Sequence, residues 1–339
     1  MQPSANASTA VVITTINSPT PGLEAIAAWT RNSGFPLIVV GDRKSPEKFS
    51  LEGADFWSLA RQLDSGYAFA RACPVGHYAR KCLGYLVAMR AGAKVIIETD
   101  DDNLPREGFF TERRLNATVP VAHDAGWVNV YAWYTDDDCW PRGLPLDRVR
   151  QAPPPFESLE SRSVPCPIQQ GLADEDPDVD AIFRLTRPLP VHFRKDRTVA
   201  LTGSSWCPFN SQNTTWFSDA FPLMYLPATC SFRMTDIWRS FIAQRIAAAN
   251  GWGLLFHGPT VWQERNAHDL LRDFREEISG YLNNGTIMEK LAEAKLPPGP
   301  EHMAENLRVC YRILLEMRLV EAVELELLDA WLSDIAAIK

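Results

Sequence analysis

Residues 94–99 form an apolar, β-branched run, Lys-Val-Ile-Ile-Glu-Thr, that leads straight into Asp100, Asp101 and Asp102. Successive side chains of a strand alternate faces, so Glu98, Asp100 and Asp102 are expected to share one face and Thr99 and Asp101 the other. Carboxylates that close repel and raise one another's pKa unless a cation or a cluster of donors compensates. A hard divalent ion with oxygen ligands is the natural compensator. Mg²⁺ or Mn²⁺ fits that description, and because such ions keep open positions for phosphate oxygens, a nucleotide-diphosphate ligand is implied. A solvated acidic turn behind a buried strand is the plainer alternative.

The elements that would position these aspartates follow from local periodicity. Residues 10–16 are a β-branched run. Thr20 is suited to N-cap a helix with Pro21 at its first position, and Gly34 sits where that helix should end. Residues 35–40 make a second strand, closed by Gly41-Asp42, and a helix over 78–91, with Leu83, Leu86 and Val87 on one face, stops at Gly92. Strand, helix, strand, helix, strand predicts a parallel sheet with right-handed crossovers, in which ligands bind beyond the carboxyl ends of the strands. Thr15, Asn17, Asp42 and the three aspartates all fall at such ends. From 152 to 190 the chain is proline-rich and carries the acidic run 174–178, read as loops and short strands covering the cleft, with a flexible linker as the competing reading. Beyond 262 the pattern turns helical, over 264–282, 286–294 and 300–338 with a break near Arg318, and reads as a packing or dimerisation element. The expected division is a disordered stretch at 1–9, an α/β domain over 10–261 with halves at 10–150 and 151–261, and a helical extension over 262–339.

Composition excludes several classes. The chain has 339 residues, 46% hydrophobic and 22% charged, which describes an ordinary globular protein. Its net charge of −8 argues against a nucleic-acid or anionic-membrane partner. The first ten residues are polar and uncharged, no run reaches the ~18 apolar residues of a membrane span, and a cytoplasmic protein is expected, a peripheral position at the inner face of a membrane being compatible. Seven cysteines, an odd number without C-x-x-C spacing, indicate neither a disulfide framework nor a zinc site.

Several segments together resemble a known family: residues 11–17 (Val-Val-Ile-Thr-Thr-Ile-Asn), 39–42 (Val-Val-Gly-Asp), 78–85, 98–103, 140–145 (Trp-Pro-Arg-Gly-Leu-Pro), 168–172, 176–181 and 235–239 (Thr-Asp-Ile-Trp-Arg). The chain is similar there to the STELLO-type proteins, which contain a glycosyltransferase domain of GT-A-like nucleotide-binding fold. A departure from the plant members is expected in their membrane anchor and their additional region, to which no segment of the 339 residues corresponds.

The resemblance implies an α/β, GT-A-like nucleotide-diphospho-sugar transferase fold, a Rossmann-like mixed sheet flanked by helices with a C-terminal helical extension. It implies metal-dependent transfer of a sugar from a nucleotide sugar, a UDP-sugar by expectation, to a glycan or lipid-linked acceptor. Asp100-Asp101-Asp102 is similar to the D-x-D motif of such enzymes, with Asp102 and Asp100 on Mn²⁺ or Mg²⁺ and Asp100 and Asp101 near the donor. Thr15, Asn17 and Asp42 would receive the nucleoside, Arg80 and Lys81 the diphosphate. His257, after an apolar strand, resembles the late histidine that completes the metal and diphosphate shell; a satisfied half-buried histidine is the plainer reading. Asp236 precedes an apolar-periodic helix, where it can be an N-cap, the base that deprotonates the acceptor in an inverting reaction, or both. Trp206, Asn210, Gln212 and Asn213 suit sugar stacking and hydroxyl recognition. Two other functions fit the same residues: a nucleotide-sugar mutase like the reversibly glycosylated polypeptides, and a non-catalytic nucleotide-sugar-binding scaffold. A homodimer through the C-terminal helices is compatible with all three.

Overall fold

A computed structural model describes residues 9–263 and 269–338. Of the N-terminus expected to be disordered, only Thr9 lies within the described residues, and the expected helix start at 264 lies outside them.

The first third builds as its periodicity dictates. Strand β1 (Thr9–Thr14) leads to helix α1 (Pro21–Ser33), whose N-cap Thr20 accepts the Leu23 N–H at 3.2 Å and whose C-cap Gly34 takes φ 73°. Strands β2 (Leu37–Val40) and β3 (Ala54–Trp57) follow, then two short helices, α2 (Leu59–Leu63) and α3 (Ala68–Ala72). A 3-10 turn over Tyr78–Arg80 runs into α4 (Lys81–Arg90), and β4 (Val95–Thr99) ends at the aspartates.

The middle of the chain is more regular than its prolines suggest. It supplies β5 (Asn103–Pro105), β6 (Asn116–His123), β7 (Gly126–Trp127), β8 (Glu160–Pro165) and β9 (Ile168–Asp174), then α5 (Ala181–Thr186). Next come β10 (Thr198–Thr202), β11 (Ser205–Trp206), β12 (Asn213–Phe217), α6 (Thr235–Ala249) and β13 (Leu254–Gln263). The main sheet runs β3-β2-β1-β4-β12-β9-β13-β10-β6-β8, with β5 beside the end of β13. Strands β3, β2, β1 and β4 are parallel; β12 lies antiparallel between β4 and β9, and β9 and β13 are parallel. The carboxyl ends of β1, β2, β4, β9 and β13 therefore open on one side. This is a mixed α/β sheet flanked by helices, consistent with a GT-A-like nucleotide-sugar transferase fold. Far from covering the cleft as a loop, β9 is buried along its whole length.

Two glycines let helices approach the sheet closely. A Cβ on Gly84 of α4 would stand 2.4 Å from Val12 Cγ1 and 2.8 Å from Val40 Cγ2. One on Gly22 of α1 would meet the carbonyl oxygen of Asn103, so the start of α1 is pressed against the turn that holds the aspartates.

The C-terminal segment forms α7 (Leu270–Glu293), α8 (Met303–Glu316) and α9 (Val323–Ile338). One continuous α7 replaces the two helices expected there, and the expected break falls at Arg318, with φ 59°. These helices share the main core instead of standing apart from it. Trp331 is fully buried, the buried Glu324 carboxylate accepts the N–H groups of Ala228 and Thr229, and Asp334 accepts those of Ala68 and Phe69 at the start of α3. Among the described residues no helix is long and apolar enough to cross a membrane.

Candidate active site cleft

A cleft of about 620 Å³ lies at the carboxyl ends of the strands, lined by Thr15, Asn17, Asp42, the three aspartates, Asp178 and Asp236 among others. The aspartates do not share a face. Strand β4 ends at Thr99 and residues 100–102 turn, so the alternation that would align them no longer operates. Each carboxylate meets a different neighbour. Asp100 Oδ1 accepts from Lys81 Nζ at 3.2 Å and from the Tyr78 hydroxyl at 3.0 Å, while Asp101 accepts from Thr15 Oγ1 and from Asn17 Nδ2, the latter at 3.1 Å. Asp102 Oδ2 accepts from Gln263 Nε2 at 2.8 Å. Glu98 leaves the group altogether: it is buried in an ion pair with Arg239, bonded also to Tyr85 and Trp216, where it ties β4 to α6.

Asp102 is the least satisfied of the three. Its Oδ1 is buried without a hydrogen-bond partner, and burial, then the neighbouring Asp100, pushes its carboxyl up to about 6. A buried carboxylate oxygen with no donor is a fit for a divalent cation with oxygen ligands. Among the described residues no three His, Cys, Asp or Glu side chains converge as a ready-made ligand set, so such an ion would draw its remaining ligands from substrate oxygens and water. Burial also raises the Asp100 carboxyl, against the opposing pull of Lys81.

Several expected contacts are redirected. Arg80 borders the cleft, but its guanidinium points inward, donating to Gln62 Oε1 at 2.7 Å, Cys73 O at 2.9 Å and Ala70 O at 3.3 Å. Lys81 is fully buried and holds the Thr99 carbonyl, Tyr78 and Asp100 instead of facing a diphosphate. Asp42 accepts the backbone N–H groups of Gly76 and His77, both at 2.9 Å, and so orders the loop before α4. His257 does not line the cleft. It lies on β13 six positions before Gln263, donates Nδ1–H to the Gly258 carbonyl at 2.8 Å, and burial, then Arg113, drops it to about 3, so the ring is neutral. The residue of that strand that reaches the aspartates is Gln263.

The amide-rich segment is also turned inward. Trp206, Asn210, Gln212 and Asn213 are all buried; Asn213 Nδ2 donates to Thr260 Oγ1 and Leu172 O, and Asn210 Oδ1 accepts the Gln212 N–H. Of these four only Gln212 lines the cleft, held by Gln263 Oε1 at 2.8 Å.

Asp236 faces the cleft from the first turn of α6, and it is not the N-cap, a position occupied by Met234. Arg142 Nη2 donates to both Asp236 oxygens, at 3.0 and 2.9 Å, and grips Asp178 through Nε and Nη2 at 2.7 Å each. Ser211 adds its N–H and hydroxyl to Asp236 Oδ2 at 3.3 and 3.4 Å. Burial pushes the Asp178 carboxyl up, but Arg142, with Arg233 and Arg184, outweighs it and holds the group below the ordinary carboxylate value. The Tyr78 hydroxyl, kept protonated by burial and by Asp100, lies 2.6 Å from Ser211 Oγ, so Tyr78 and Ser211 span the gap between Asp100 and Asp236, their two protons serving two of the three contacts at a time. Arg142, Asp178, Tyr78 and Gln263 were not singled out from the sequence, although Arg142, Asp178 and Tyr78 fall inside the segments that carry the family resemblance.

A family model described as "STELLO glycosyltransferases" matches residues 233–339. Two proteins of Arabidopsis thaliana are similar in sequence. "Probable glycosyltransferase STELLO2" is 26% identical over 344 residues, covering 96% of this chain and 44% of that protein. "Probable glycosyltransferase STELLO1" is 28% identical over 304 residues, covering 83% and 38%. The chain thus spans less than half the length of either relative. Among solved structures, one titled "Crystal Structure of a Mycobacterial Protein" superposes with a TM-score of 0.42 at 10% identity, covering 83% of this chain and 75% of that one. With the family model seated on the segment that carries Arg233 and Asp236, and similarity to both plant proteins reaching back through the aspartates, the chain is similar to the STELLO glycosyltransferases along most of its length.

Proposed function

We propose that this protein transfers a sugar from a nucleotide-sugar donor, a UDP-sugar in the first instance, to the hydroxyl of an acceptor bound in the same cleft. The observation that carries the reading is Asp102, a carboxylate at the end of the central parallel strands with one buried oxygen left without a donor. Asp102, with Asp100 beside it, would hold Mn²⁺ or Mg²⁺, which when bound offsets the negative charge of a departing diphosphate.

The chain's own residues supply orientation. Thr15 and Asn17 fix Asp101, and Lys81 and Tyr78 fix Asp100, so both carboxylates are preset toward donor hydroxyls. Both oxygens of Asp236 already accept hydrogen bonds from Arg142 and Ser211, which suits it to orient an acceptor hydroxyl better than to remove its proton. The expectation of an inverting reaction rested on Asp236 as a free base and loses that support.

A thermal-shift screen of nucleotide sugars with and without Mn²⁺ tests the reading, because a ligand that binds only the folded state raises stability with occupancy. A UDP-sugar that stabilises only with Mn²⁺ present is the expected result, and no stabilisation by any nucleotide sugar would refute it. Ring isomers formed from donor alone would transfer the assignment to a mutase.

A further inference from the structure

We propose that the stretch of the cleft beside Phe232 is the acceptor subsite and that it takes a neutral, hydroxyl-rich chain in place of one bearing phosphate or carboxylate. The word acceptor rests on the transferase reading above; the class of ligand rests on the wall itself.

Phe232 is 52% exposed at the cleft, with its ring set edge-to-face against His77 and Tyr78 at centroid distances of 6.2 and 6.0 Å. An aromatic ring left in water inside a polar cleft forgoes the burial that would stabilise it. The C–H face of a pyranose is flat and apolar, and would cover the ring while its hydroxyls stay at the edge, free to bond.

The charges beside the ring are already matched. Arg142 bridges Asp178 and Asp236, Arg184 pairs with Asp176, and Arg233 pairs with Glu277. Three guanidiniums against four carboxylates leave no positive charge to receive an anion, and the more exposed Arg272 has Glu276 one turn away. Diverting one of these arginines to a phosphate would strand a buried carboxylate. Neutral hydroxyls both donate and accept, so they can bond to carboxylate and guanidinium alike without opening a pair. Spare positive charge lies on the β2 side of the cleft, where Arg43 and Lys44 have no ion-pair partner among the described residues. The anionic part of any ligand belongs there, which leaves the Phe232 wall for the uncharged part.

Titration calorimetry on the full chain tests this with neutral tetrasaccharides of glucose, mannose, galactose and xylose, set against trigalacturonate and a short-chain polyprenyl phosphate. At least one neutral tetrasaccharide should bind, with an affinity that stays within roughly twofold between about 50 and about 300 mM NaCl. Phe232→Ala should weaken that binding by roughly fivefold or more, and Phe232→Trp should retain it. Preference for either anionic ligand, or equal affinity in Phe232→Ala, overturns the proposal. Since binding is read directly, the two readings can fail separately. A protein that binds neutral glycans but no nucleotide sugar keeps this site and loses the transferase assignment; one that binds a nucleotide sugar but no neutral glycan does the reverse, and one that binds neither loses both.

Discussion

Replacing Arg142 with methionine removes the guanidinium that Asp178 and Asp236 share while keeping most of the side-chain volume. Their side chains are only 11% and 10% exposed, so water cannot take over the lost bonds. Stranding a buried charge by deleting its partner costs about 3–5 kcal/mol, a large share of the ~5–15 kcal/mol that holds a typical fold together. Two carboxylates are affected, but Arg233 and Arg184 still act on Asp178, so a loss of about 4 kcal/mol is expected near neutral pH. The dependence on pH should change sign. In the wild type Asp178 is held below its unfolded value of ~3.9, so its contribution is present above that value and is lost as pH falls through the lower folded one. In Arg142→Met the burial that opposes Arg142 dominates at Asp178, whose folded value rises above the unfolded one, and protonation relieves the strain. The deficit should therefore be greatest near pH ~7.5 and shrink toward pH ~4.5. Urea unfolding followed by tryptophan fluorescence at both pH values measures it. A deficit below about 1 kcal/mol, or one that is the same at both pH values, would refute the reasoning.

Asp102→Asn should stabilise the metal-free protein by on the order of 2 kcal/mol near pH ~7.5 and by little near pH ~4, because a carboxyl raised to about 6 favours folding below its unfolded value and loses that contribution as pH rises through the folded one. The same variant should lose Mn²⁺-dependent UDP binding, and unchanged affinity would remove Asp102 from the metal site; melting curves with and without Mn²⁺ read both effects. Gly84→Ala puts a methyl 2.4 Å from Val12 Cγ1, between a helix and a central strand, and should cost about 1–3 kcal/mol in chemical unfolding, with a loss near zero showing that α4 can slide. Glu98→Gln leaves the Arg239 guanidinium buried beside a neutral amide and should lower stability by about 3–5 kcal/mol, detectable as a drop in Tm; a drop worth under about 1 kcal/mol would mean that the pair is dispensable.

Local periodicity determined the first third of the molecule. The β-branched runs, the Thr20 cap, Gly34 and the helix before β4 each depend on neighbours within a few residues, and with the parallel alternation they located the cleft at the carboxyl ends of β1, β2 and β4. The proline-rich middle misleads for a physical reason. Its prolines flank β8, β9 and α5, and β9 lies between two other strands, buried on both faces although it carries Gln169, Gln170 and Asp174, so no apolar-polar alternation marks it.

Where individual side chains point was decided only by tertiary structure. Alternation places Glu98, Asp100 and Asp102 on one face as long as the strand continues, but it stops at Thr99 and the three then follow different partners: Arg239, Lys81 and Gln263. Arg80 and Lys81 look equally able to meet a phosphate until the fold engages both in bonds to buried carbonyls and side chains. The cluster of Arg142, Asp178 and Asp236 joins positions 36 and 94 residues apart, and no local pattern encodes a pairing over that distance. The chain carries the residue types that make a polar cleft; which carboxylate is matched by a guanidinium and which is left with an unpaired oxygen depends on how β4, β9, β13 and α6 converge, since burial and donor geometry are properties of the assembled core.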